Sequence, residues 1–238
     1  MTAPVLDLAD VSKDFRGLRP LRIERLTVAP GECVAILGMD QPMAETFVNL
    51  VTGAVLPDRG EVRAFGRSTA EVADSDEWLR LVDRFGIVSD RAVLLGALTP
   101  LQNLAVPFTL DIEPLLENTH RRVAELALEV GLDERDWGKA VEALDPARRA
   151  RIRFARALAL DPAVLLLEHS TAEVQRELVA SLGEHMRRVI RRRGGALVAL
   201  TGDFTFATAV ADRVLTLDQV SGRLNTPRRS WWSGRRLG

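Results

Sequence analysis

The stretch Glu32-Cys-Val-Ala-Ile-Leu-Gly-Met-Asp-Gln-Pro-Met-Ala-Glu-Thr46 decides how the rest of the chain is read. Val34 to Leu37 is a continuous apolar run closed by Gly38, the pattern of a strand buried on both faces. A helical apolar pattern follows from near Phe47. Strand, glycine turn and helix together predict an α/β junction at which backbone N–H groups gather at a helix start. Short Val/Ile/Leu runs at 86–88, 164–167 and 197–200 predict further strands of a largely parallel sheet. Residues 60–66 and 214–217 read as two more, the latter at the sheet's end. From about 91 to 159 the pattern turns helical, with Val123, Leu126, Ala127 and Val130 sharing a face.

In the pattern G-x-x-x-x-G-K-[ST], backbone amides cradle phosphates, lysine reaches the β/γ oxygens and the hydroxyl holds Mg²⁺. Gly38 stands at its first glycine, Met43 at the second, Ala44 at the lysine and Glu45 at the hydroxyl. Between them run Asp40, Gln41 and Pro42, and Thr46 follows. Pro42 removes a backbone N–H and fixes φ. Met43 puts a Cβ where close phosphate approach wants none. Ala44 removes the cation, no arginine in the loop replaces it, and Lys13 and Lys139 are the chain's only lysines. Asp40 and Glu45 add negative charge where a polyanion would sit. A hydrogen bond to a charged group contributes roughly 1.5–3 kcal/mol, and about 1.4 kcal/mol is tenfold in affinity. Triphosphate binding is therefore expected to be weak or absent. The plain alternative is an ordinary strand–turn–helix junction.

Further stretches extend this reading in order along residues 4 to 224. They are Val5 to Phe15 (VLDLADVSKDF), Leu26 to Gly38 (LTVAPGECVAILG), Gly53 to Gly66 (GAVLPDRGEVRAFG) and Leu98 to Pro107 (LTPLQNLAVP). Arg153 to Leu167 (RFARALALDPAVLLL) and Ala211 to Asp218 (ADRVLTLD) complete the set. Together they resemble the ATP-binding cassette of ABC transporters. The resemblance implies an α/β, P-loop NTPase-like (RecA-like) fold. Its core is a largely parallel sheet with antiparallel strands near the N-terminus and an inserted helical subdomain. Residues 1–90 and 160–226 would form the discontinuous core, 91–159 the subdomain, and 227–238 a basic tail with two tryptophans.

Each catalytic position of the family is substituted here. Phe15 matches the adenine-stacking aromatic and leaves nucleoside stacking open. Ser89 occupies the place of the glutamine loop, and Leu144-Asp-Pro-Ala-Arg148 that of the signature LSGGQ. Asp145 replaces the signature serine, Pro146 removes a donor and Ala147 replaces the second glycine. Asp145-Pro146 nonetheless reads as a helix start, an N-cap followed by proline. The Walker B run ends in Glu168-His169 where the family has Asp-Glu, so His169 stands at the general base. Gln175 replaces the D-loop aspartate, and Gly202 the switch histidine. With phosphate loop and signature both altered, pairing with an active cassette would leave neither composite site intact.

Composition is that of an ordinary globular chain: 238 residues, 47% hydrophobic, net charge −1, which gives no overall drive towards polyanions. The single Cys33 lies in an apolar strand and reads as a core thiol. No leader is read, and no apolar run approaches the ~20 residues of a membrane span. His120 and His185 lack partners at metal-ligand spacing, and no metal site is expected. The resemblance therefore implies a cytoplasmic subunit, peripheral on the cytoplasmic membrane face. Membrane-spanning transporter subunits are its expected partners, with a second cassette as homo- or heterodimer. ATP and Mg²⁺ are the family's cofactors and are expected to bind weakly or not at all. The leading function is a non-hydrolysing scaffold or regulator of a transport complex. A diverged working ATPase using Glu168 and His169 is one alternative. Another is a binder of nucleic acid or anionic lipid, acting through Arg148–Arg156, Arg187–Arg193 and the Trp231-Trp232 tail. Solvated helix faces explain the arginine runs equally well, so nucleic acid is not favoured.

Overall fold

An antiparallel pair opens the chain: β1 (Leu6–Lys13) and β2 (Leu21–Val28), registered Leu6 to Val28 and Lys13 to Leu21. This computed structural model describes residues 3–227, so the Trp231-Trp232 tail lies outside the described residues. β3 (Cys33–Leu37) and α1 (Gln41–Val51) follow, then β4 (Arg59–Ala64) and β5 (Arg67–Ser68). Strands β2-β1-β4-β5 form a four-stranded antiparallel sheet. The surface helix α2 (Ser75–Val82) leads to β6 (Phe85–Val88). Three helices fill the middle of the chain: α3 (Pro100–Ala105), α4 (Glu117–Glu129) and α5 (Pro146–Leu158). Then come β7 (Val164–Glu168), α6 (Arg176–Arg192), β8 (Ala196–Leu200) and α7 (Phe204–Val210). The last described strands are β9 (Arg213–Leu217) and β10 (Leu224–Asn225).

The second sheet runs β10-β9-β3-β8-β7-β6, parallel except where β10 meets β9. This is the α/β class expected from sequence; the runs at 34–37, 86–88, 164–167, 197–200 and 214–217 fall within its strands. The run at 60–66 belongs instead to β4 of the antiparallel sheet, which ends at Ala64 because Phe65 and Gly66 form a turn. Every residue of β3, β7 and β8 is buried. Because side chains alternate along a strand, each of these strands feeds two apolar clusters. Cys33, Ala35 and Leu37 join Leu165, Leu167, Leu197 and the apolar faces of α3 to α7. Val34 and Ile36 join Leu166, Val198, the antiparallel sheet and α1. The helical middle of the chain thus shares its core with one face of the parallel sheet. Among the described residues, no helix is long and apolar enough to cross a membrane.

Cys33 is free and wholly buried. Burial first, and the Asp212 carboxylate second, push its thiol up to about 11. The thiolate is the reactive form, so a thiol reagent should label Cys33 only when the chain is unfolded. Stoichiometric labelling of the native protein would show instead that β3 opens readily.

Packing is close where β6 meets α5. A Cβ added at Gly86 would lie 2.3 Å from the Ala157 carbonyl oxygen and 2.6 Å from a Leu165 methyl. Gly86→Ala must therefore push helix from sheet, an overpacking cost of about 1–3 kcal/mol. The urea midpoint should fall at unchanged slope; an unchanged midpoint would mean the helix yields freely.

Candidate functional site

Helix α1 begins at Gln41, not near Phe47 as the apolar pattern indicates. The reason is local. Asp40 sits in extended conformation and its Oδ1 accepts the Met43 N–H at 2.9 Å. Pro42 falls in the first turn, where a missing N–H costs nothing. The segment read as a loop up to Glu45 is thus already helix, and its side chains turn accordingly. Met43 and Ala44 are buried in the core rather than facing a ligand. The Thr46 hydroxyl donates to the Pro42 carbonyl at 2.7 Å. Gly38, at φ 93°, accepts from Gln219 through its carbonyl at 2.6 Å. Phe15 is half-buried against the same cluster, with Gly17 folded close over its ring.

Facing this helix start is the end of β7. The Glu168 side chain is 0% exposed. Burial pushes its carboxyl above the ordinary range, against the opposing pull of Arg91. Arg91 donates to Glu168 at 2.5 Å and to Glu45 at 2.9 Å. Gln41 adds a 3.5 Å contact to Glu168. Buried Ser89 begins the turn that aims this arginine, its hydroxyl accepting the Arg91 N–H at 3.2 Å. Sequence reading found no arginine in the loop to replace the lysine; a guanidinium does arrive, from outside it. Its position two residues beyond Ser89 was the available clue.

On the far side, His169 and Gly202 line a cavity of about 580 Å³ together with Thr171, Val174, Thr201 and Phe204. A Cβ at Gly202 would meet nothing within 4 Å. His169 has φ 42°, and its Nε2 is buried without a hydrogen-bond partner. No contact within hydrogen-bonding distance joins it to Glu168 among the described residues. Gln175 precedes α6 and makes no side-chain cap.

The signature-equivalent segment Leu144–Arg148 starts α5, as expected. Asp145 accepts the Arg148 N–H at 2.8 Å, with Pro146 and Ala147 in the first turn. Arg148 itself bonds Asp136 at 2.5 Å and pairs with Asp145. Several arginines of the two runs are cross-links, while Arg188 and Arg192 lie on the exposed face expected of them. Arg151 holds the Val130 carbonyl at 2.7 Å, Arg153 pairs with Asp90 at 3.6 Å, and Arg156 holds the Ala92 and Val93 carbonyls. Arg187 and Arg191 share Asp212, and Arg193 pairs with Glu129. His185 meets the Glu129 carbonyl at 3.1 Å, and His120 is exposed. No cluster of metal-ligating side chains occurs among the described residues.

A metal-bound triphosphate requires free amides at a helix start, a reaching cation and uncommitted oxygen ligands for the ion. Here Asp40 holds one amide, Pro42 lacks one, Ala44 is buried, and Glu45 and Glu168 are both committed to Arg91. The donor set does not fit that group.

Sheet order, the strand–turn–helix unit at Gly38 and the carboxylate ending β7 together define a P-loop-type α/β cassette. The chain belongs to the ABC transporter family, whose family model matches residues 21–172. It is 30% identical over 217 residues to the methionine import ATP-binding protein MetN of Brucella abortus (strain 2308), covering 91% of this chain and 58% of that protein. Against the MetN of Rhizobium johnstonii it is 31% identical, covering 95% and 61%. The chain thus spans less than two thirds of the length of these relatives. Two solved structures share its fold. One is the ATP-binding cassette MJ0796 in a dimeric post-hydrolysis state with ADP and Pi (TM-score 0.73, 22% identity, 94% of this chain and 99% of that one). The other is cbiO1 from Clostridium perfringens (TM-score 0.77, 19% identity, 93% and 87%).

Because the Asp40 carboxylate is the cap of α1, Asp40→Ala should lower stability by about 0.5–2 kcal/mol in chemical denaturation. Asp40→Asn should retain most of it. Equal losses for both would mean that charge, not capping, is what Asp40 supplies.

Proposed function

We propose that this chain is a non-hydrolysing ATP-binding-cassette subunit that acts as scaffold or regulator of a membrane transport complex. One observation carries the reading. The helix start that would receive phosphate is capped by the chain's own Asp40, with a buried alanine at the lysine position. A second anion brought there meets a carboxylate instead of a cation. On the opposite side, His169 lacks a glutamate's geometry for polarising water, and Gly202 offers no side chain at all. The altered signature points the same way, since Asp145 and Arg148 are spent on each other and on the helix start.

Subunit status is supported by the relatives' names. The MetN proteins are import ATP-binding proteins, and cbiO1 is part of the transporter complex cbiONQ. By this reading, residues 91–159 act as the helical subdomain of an α/β core formed by 1–90 and 160–226. The chain sits peripherally on the cytoplasmic face against membrane-spanning subunits, with a second cassette as a further partner.

Calorimetry and thermal shift with Mg-ATP, taken to millimolar concentration, test the proposal. No heat and no shift are expected. A clear shift, with turnover abolished by Glu168→Ala or His169→Ala, would replace it with a working ATPase.

A further inference from the structure

Glu168 presents a problem that the chain must solve internally. A carboxylate fully withdrawn from water is costly unless a charge and hydrogen bonds compensate it. Two other elements supply the compensation. Gln41 reaches from the first turn of α1, and Arg91 from the segment after β6. The same guanidinium extends to Glu45, one turn further along α1. Two nitrogens of one planar group thus hold carboxylates from two different elements. Oxygen ligands so placed are also what a small divalent ion selects. Arginine, however, is covalently tethered and stays charged at every ordinary pH.

We infer that Arg91 is a resident cation: it occupies the seat between Glu45 and Glu168, excludes a divalent ion from it, and permanently straps the segment after β6 to the core. The strap has two ends. Towards the core, residues 89–93 are held through Arg91 to α1 and β7. Towards the helical region, Asp90 meets Arg153 at 3.6 Å, and the Ala92 and Val93 carbonyls accept from Arg156 at 2.6 and 2.9 Å. A dissolved ion could leave with its ligand; a guanidinium cannot. The segment's position is therefore independent of what is in solution. This rests on the non-hydrolysing reading only in that no nucleotide displaces the arginine.

The test uses Mn²⁺ as probe, nucleotide-free, read by electron paramagnetic resonance on the full chain. Wild type should show no Mn²⁺ site that depends on Glu168. Arg91→Ala and the nearly isosteric Arg91→Gln should bind Mn²⁺ at least about tenfold more tightly, a difference of ~1.4 kcal/mol. Adding Glu168→Gln should remove that gain, whereas Arg91→Lys, which keeps a cation, should remain silent. Folded Arg91 variants with no gain would overturn the inference, as would wild-type Mn²⁺ binding lost in Glu168→Gln. Hydrogen exchange of residues 89–93 in wild type supplies an arm that needs no variant. It should be unchanged by Mn²⁺, and any metal-dependent change would overturn the strap. Mg-ATP turnover by wild type would sink the non-hydrolysing reading by itself, leaving the metal arms to judge Arg91 separately.

Discussion

A carboxylate closed off from water at the end of β7 is the constraint around which the site is organised. Removing one partner from a buried ion pair costs several kcal/mol, because the remaining charge has no solvent to fall back on. Glu168 therefore dictates where Arg91 must be, and Arg91 dictates the course of residues 89–93. Glu45 completes the balance at 43% exposure, where water screens its share of the pairing. The strong half of the bridge is the buried one, and the exposed half chiefly sets orientation. A buried carboxylate with nothing beside it would be an uncompensated charge. Instead a counter-charge fills the space.

The same logic recurs at the helix starts. Working anion sites leave the first amides of a helix for the ligand. Here α1 and α5 each carry an aspartate that accepts the N–H three residues on, with proline in the first turn. α7 repeats the aspartate cap through Asp203 and Phe206, and α2 does so through Asp74 and Glu77. Each cap stabilises its helix by about 1 kcal/mol and places negative charge where an anion would otherwise be attracted. The same carboxylates that stabilise these helices also fill the place where an anion would meet the first amides.

The strands were readable from sequence because burial on both faces leaves an unbroken apolar run, and such runs are local. The cap at Asp145-Pro146 was readable for the same reason. The equivalent signal stands at Asp40-x-Pro42, where the phosphate-loop pattern overlaps it and hides the first turn of α1. Arg91 could not be found in this way. Its partners lie 46 and 77 residues distant in sequence, brought close only by the parallel strand order. The arginine runs show the same limit. Their charge is visible in sequence, whereas Asp136, Glu129 and Asp212 become partners only through packing.

Two sides of the site are built in opposite ways. Around Glu168 the space is filled and charge-balanced, while beside Gly202 a cavity stands open. His169 lies between them in a left-handed conformation that a histidine adopts at a cost. The neighbouring backbone holds it there. Its N–H donates to the Leu200 carbonyl at 2.9 Å, and its carbonyl accepts from Ala172 at 3.0 Å. Those bonds belong to the strand pairing and the turn, and would form with any residue at this position. The strained backbone is thus held by the fold and not by the histidine side chain.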